Sequence, residues 1–207
     1  MKNILVAVLM LSFFFIACGK KDEVKKDELK KDQQVTEKVT PEEFFKAIDS
    51  GNVAKIKDML AKDKSLLTVN KPDGYLAGFS ALFVAAGNAD FIPNVKEVAD
   101  LLIKNGADVN MVTESGATPL HFTCEGGNHT DATTVVAELL INNKANLNAA
   151  NKKGETPIFE AVHWNNENLV KLLKSKGADV SIKNKEGKTP MDEAKLQKFN
   201  NLIEILK

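Results

Sequence analysis

The sequence predicts an all-α solenoid of about five helix-turn-helix repeats joined by hairpin-like turns, behind an N-terminal segment that takes no part in the fold. Three observations predict it. A glycine followed two residues on by Thr-Pro, or a worn variant of it, recurs at near-constant spacing. A leucine-rich signature that ends in Gly-Ala-Asp-Val or a close variant lies between the copies. Residues 20–32, KKDEVKKDELKKD, are charged at nearly every position, too polar to bury a face that would offset their ordering entropy.

The N-terminus comes first. After Lys2 an apolar run extends from Ile4 to Ala17, and charge returns at Lys20. Fourteen residues suit the apolar region of a signal peptide better than a permanent membrane helix. The run ends Phe15-Ile16-Ala17-Cys18-Gly19, which resembles the bacterial lipobox, although Phe15 stands where that pattern usually has Leu. The expectation is a lipoprotein signal peptide over 1–17 and a lipidated Cys18, with acyl chains that hold the protein on a membrane at about 0.8 kcal/mol per buried methylene. Residues 18–39 then read as a charged tether, with a reach of roughly 25 Å as a coil.

The repeats follow. Gly78-Phe79-Ser80-Ala81-Leu82, Gly116-Ala117-Thr118-Pro119-Leu120, Gly154-Glu155-Thr156-Pro157-Ile158 and Gly187-Lys188-Thr189-Pro190-Met191 place their glycines 38, 38 and 33 residues apart. Between them run LLIKNGADVN (101–110), LLINNKANLN (139–148) and LLKSKGADVS (172–181). Each unit can be built from local chemistry. Glycine allows the turn, Thr or Ser is expected to cap a helix, and Pro takes its first position, where the missing N–H costs nothing. A short first helix follows, for example from Pro157 to about His163. A second helix carries leucines at helical spacing (Leu169, Leu172, Leu173), and Gly177 ends it in the left-handed conformation. One such unit cannot bury its apolar face alone, whereas stacked units can.

This pattern resembles the ankyrin repeat, with its period of 33 and its Thr-Pro-Leu-His-x-Ala motif. Thr118-Pro119-Leu120-His121 matches the first four motif positions, and Thr156-Pro157 with Ala161 and Thr189-Pro190 with Ala194 match in part. The resemblance covers residues 40–207, as repeats at about 40–70, 71–110, 111–149, 150–182 and 183–207. The first has no Thr-Pro start but keeps a two-helix pattern, with Pro41 behind Thr40 and Glu43 three residues past that cap. The two 38-residue units carry five extra residues each, around 87–94 and 126–133, and insertions at one position of an array project from one face. The turn at Pro72–Phe79 is two residues longer than the others by sequence count.

What these units could do chemically is limited. Twenty-eight basic residues balance 28 acidic ones, so no net field favours nucleic acid. His121, Cys124 and His129 are metal-ligand types, but their spacing fits no strong zinc pattern and no fourth ligand is evident. The resemblance instead implies that His121 bonds neighbouring turn backbone and that Cys124 fills a small buried slot. Asp108 and Asp179 read as turn formers. No catalytic constellation, metal or cofactor is expected, and the chain reads as no enzyme.

The resemblance implies a binding role on the concave face. Carried onto this chain, its variable positions fall at Leu76, Ala77, Phe79, Gly87 and Asn88, then at Glu114, Ser115, Ala117, Glu125 and Gly126. They continue at Lys152, Lys153, Glu155, His163 and Trp164, and at Lys185, Glu186, Lys188 and Leu196. Tyr75, Phe79 and Trp164 are singled out because aromatic side chains bury much area at low entropic cost. The expected function is a membrane-tethered protein-interaction module of the bacterial envelope, monomeric, with a protein partner. A dedicated stabilising or inhibitory accessory of one envelope enzyme or toxin is the alternative, and a metal- or redox-linked periplasmic factor a third.

Overall fold

The computed structural model describes residues 39–74, 76–125 and 130–207. The expected signal peptide, Cys18 and nearly all of the tether, together with Tyr75, Gly126 and His129, lie outside the described residues.

The described residues form helices in consecutive pairs: α1 (Pro41–Asp49) with α2 (Val53–Lys62), α3 (Ala81–Gly87) with α4 (Val95–Lys104), α5 (Pro119–Cys124) with α6 (Asp131–Asn142), α7 (Pro157–His163) with α8 (Glu167–Ser175), and α9 (Pro190–Leu196) with α10 (Asn200–Leu206). A short 3-10 turn, Lys64–Leu67, follows α2. The odd-numbered helices stack on one another in sequence, as do the even-numbered ones, and each pair also packs internally. The result is a two-layer solenoid with one continuous core.

The two layers bury themselves differently. Residues Ala81–Ala86 and Pro119–Cys124 are buried throughout, so first helices are closed in from nearly all sides. Small residues at Ala85-Ala86 and Thr123-Cys124 allow that packing. The second helices bury a single stripe, Val98, Ala99 and Leu102 in α4, Val136, Ala137 and Leu140 in α6, and Leu169, Val170 and Leu173 in α8.

Pro occupies the first turn of α1, α5, α7 and α9, as the sequence predicts. The capping hydroxyls behave less uniformly than expected. Thr40 accepts from the Glu43 N–H (3.3 Å), and Thr189 and Asp192 cap each other reciprocally. Ser80, however, donates to the Met111 sulfur (3.0 Å), and the buried Thr156 hydroxyl has no partner. The second helices end in the left-handed region at Gly106 and Gly177, and Lys144 adopts it where α6 has no glycine.

Asp108 and Asp179 cap their turns through the backbone N–H groups of Asn110 and Ser181 (both 2.8 Å). Neighbouring turns are joined as well. Asn110 accepts from the Asn146 N–H (2.7 Å), and Asn148 accepts from the Asp179 N–H (2.9 Å).

The first insertion is built into the fold. Ala89 and Ile92 are buried, and Asn94 donates to the Gly51 carbonyl (3.4 Å) at the turn between α1 and α2. The Thr130 hydroxyl, at the end of the second insertion, donates to the Asp90 carboxylate in the first. The two insertions therefore share one side of the array, with Phe91 left 68% exposed.

Candidate functional site

The turns that precede the first helices are short fingers. Each closes with a backbone bond: Lys71 N–H to Phe79 C=O, Thr113 to Ala117, Asn151 to Glu155 and Asn184 to Lys188, at 2.8–3.0 Å. The last three enclose three residues and the first encloses seven, so this finger is longer by four residues rather than two. The extra residues coil into a further turn, with Gly74, Leu76 and Gly78 all at positive φ. In the two C-terminal fingers one asparagine organises the turn: Asn151 Oδ1 accepts from Lys153 and Glu155, and Asn184 Oδ1 from Glu186 and Lys188.

Fingers are also laced to one another. The Lys152 N–H donates to the Ser115 carbonyl (2.7 Å) and the Lys185 N–H to the Lys153 carbonyl (2.8 Å). A second tie runs from helix to finger. His121 is fully buried, and its Nδ1 accepts from the Thr118 N–H (3.0 Å). That assignment makes Nε2 the protonated nitrogen, donating to the Glu155 carbonyl one repeat on (3.1 Å). Burial holds the imidazole below its ordinary pKa, so it works as a neutral ring. With both nitrogens engaged, His121 has none left for a metal. Cys124 is fully buried, its thiol pushed far up by desolvation, and it donates to the Leu120 carbonyl (3.3 Å). A thiol in that state is a small apolar group and not a nucleophile.

Beside the fingers, the ends of the first helices form a palm. Glu160 is half-buried and pushed up to about 7, chiefly by desolvation and then by Glu155 and Glu125, with His163 and Lys153 opposing. Asn151 donates to both Glu155 (3.3 Å) and Glu160 (3.2 Å). His163 lies 3.6 Å from the carboxylate of Glu193, itself 6% exposed. Trp164 stands edge-on to His163 and is 42% exposed.

A family model for ankyrin repeats (3 copies) matches residues 82–184 and 133–207. The chain belongs to the ankyrin-repeat family. Comparison with curated proteins finds no significant match. Ankyrin arrays serve in general as protein–protein interaction modules.

The ankyrin frame shows where the sequence-predicted binding positions sit. Glu114, Ser115, Lys152, Lys153, Lys185 and Glu186 are exposed on the fingers, with Lys188 and Glu155 half-buried beside them. Glu125, His163 and Trp164 are exposed at the ends of their first helices. Two expected contacts are instead part of the packing. Leu76 folds onto Gly87, where an added Cβ would meet its Cδ1 at 3.2 Å. Phe79 is half-buried, with ring centroids 4.9 Å from Phe122 and 5.8 Å from Phe83. Asn88 caps α3 and accepts through its carbonyl from Phe91 and Ile92, so it holds the first insertion.

Sequence reasoning missed Glu160, Glu193 and Asn151. Glu160 and Glu193 share one register in their repeats, three residues after the helix-starting Pro. A carboxylate at that place in two successive units was the available signal.

Proposed function

We propose that this ankyrin array is a protein-interaction module tethered to a membrane of a bacterial envelope, with its partner seated across the fingers and the palm. One observation carries the reading: fingers laced by Lys152–Ser115 and Lys185–Lys153 form a rigid strip, and a half-exposed Trp164 stands on the palm. A rigid strip with an aromatic anchor loses little entropy on binding. The tether rests on the apolar run that ends Ala17-Cys18, ahead of the charged segment.

The test has two arms. Affinity capture from envelope extracts with the full chain should retain a protein partner that Trp164→Ala loses. Retention that is equal for both chains counts against the face. Cys18→Ser should move the protein out of the membrane fraction, and unchanged fractionation counts against the lipid.

A further inference from the structure

The finger strip has one break. Lys152 and Lys185, each the first residue after the start of its finger, donate to the finger before. Glu114 holds the same register in the third repeat, yet its N–H has no such acceptor among the described residues. A cavity of about 530 Å³ lies at this break, between the long second finger and the third. Phe79, Phe83 and Met111 give it an apolar floor, and Val112, 63% exposed, forms its lip. Glu114 and Ser115 stand at its edge. The place therefore offers an apolar hole beside a backbone N–H that has no acceptor among the described residues. An extended peptide has that pair of properties, whereas a helix has its backbone groups internally paired.

Charge gives the direction. Ser115 lines the cavity and also accepts from Lys152, so the strip leads from the hole straight onto the fourth finger and then, through Lys153, onto Lys185 of the fifth. Among the described residues Lys152 and Lys185 are in no ion pair, whereas Lys153 lies 3.9 Å from Glu155 and Lys188 2.8 Å from Glu186. Two unpaired ammonium groups on successive fingers are complementary to carboxylates. Fingers of packed repeats stand about 9–10 Å apart, and an extended chain advances about 3.3 Å per residue. One finger therefore corresponds to about three residues.

We infer that the break between the second and third fingers seats a bulky apolar side chain of an extended partner segment, and that this segment carries carboxylates about four and about seven residues from the anchor, over Lys152 and Lys185. The inference rests on the reading that a protein partner docks on this face, and it names the chemistry of that partner.

The probe is a labelled serine-rich peptide with one phenylalanine and two glutamates at those offsets, synthesised in both chain directions and titrated against the full chain by fluorescence anisotropy. One direction should bind. Phenylalanine-to-serine should weaken it about tenfold or more, as expected for a central anchor. Val112→Glu, on an exposed lip, should do the same. Lys152→Glu with Lys185→Glu should reject the glutamate peptide and accept its lysine counterpart. Failure of both directions to bind, or binding indifferent to the phenylalanine or to the charge exchange, overturns the inference. Capture with Val112→Glu separates the two readings. A partner that Trp164→Ala loses and Val112→Glu keeps at full affinity leaves the interaction module standing and removes the pocket.

Discussion

His121 Nε2 donates to the Glu155 carbonyl 3.1 Å away, joining the first helix of the third repeat to the finger of the fourth. The ring also serves its own helix start at Thr118, so one side chain holds groups from two units. His121→Ala would leave the buried Thr118 N–H without its acceptor and take from the Glu155 carbonyl one of its two donors, the Asn151 N–H remaining. The expected loss is about 3 kcal/mol in chemical denaturation. The acid side of the stability curve should change too. The folded imidazole titrates below its unfolded value, so its contribution is full above the unfolded pKa and fades as pH falls. His121→Ala should lack that loss below about pH 6.5.

Glu160 acts in the opposite sense. Its folded pKa, about 7, lies above the ordinary carboxylate value of 4.5, so the folded state holds a proton that the unfolded state gives up. That contribution is complete below the unfolded pKa and is lost as pH rises through about 7. The effect should be on the order of 2 kcal/mol. Glu160→Gln keeps the acceptor for Asn151 and should be flatter and more stable at pH 8. Urea midpoints at pH 5 and pH 8 measure the difference.

Gly51 and Gly106 make a matched pair. Both have positive φ, but a Cβ on Gly51 would stand 1.9 Å from the Pro93 carbonyl oxygen, whereas one on Gly106 meets nothing within 4 Å. Gly106→Ala should cost about 1–2 kcal/mol from backbone conformation alone. Gly51→Ala must also push the first insertion off the array, and its melting temperature should fall well below that of the other variant.

Lys71 is 7% exposed and donates to both carboxylate oxygens of Asp49, at 2.8 and 2.7 Å. This pair ties the long finger to the end of α1. Asp49→Ala strands a buried ammonium and should cost about 3 kcal/mol. Lys71→Met replaces that ammonium by apolar volume and should cost less, and adding Asp49→Ala to it should cost little further. A double variant that loses the sum of the two single losses would show that the pair is not electrostatically coupled.

The parts legible in the sequence are those decided within a few residues. Thr118-Pro119 and Thr189-Pro190 announce helix starts because cap and first turn are adjacent, and Gly177 announces a helix end for the same reason. The burial of His121 and Cys124 followed from the repeat pattern. The long finger was miscounted because Leu76, which carries no glycine signal, takes a left-handed conformation there. The burial of Lys71 was not legible, because its partner Asp49 lies 22 residues away. Glu160 owes its state first to burial and then to Glu155 and Glu125, the latter supplied by the preceding repeat. The finger lacing was invisible for a plainer reason: backbone bonds between Lys152 and Ser115 write nothing into side-chain identity.

That lacing has an engineering consequence. Between the third, fourth and fifth repeats every junction uses the same backbone donor and acceptor, so a duplicated copy of residues 150–182 would present matching ends to both neighbours. Lengthening the protein there is a cut-and-paste operation. At the second repeat it is not, because the oversized finger and the braces at Gly51 and Asp90 fit only the neighbours they already have. The array is thus extensible toward one terminus and custom-made toward the other.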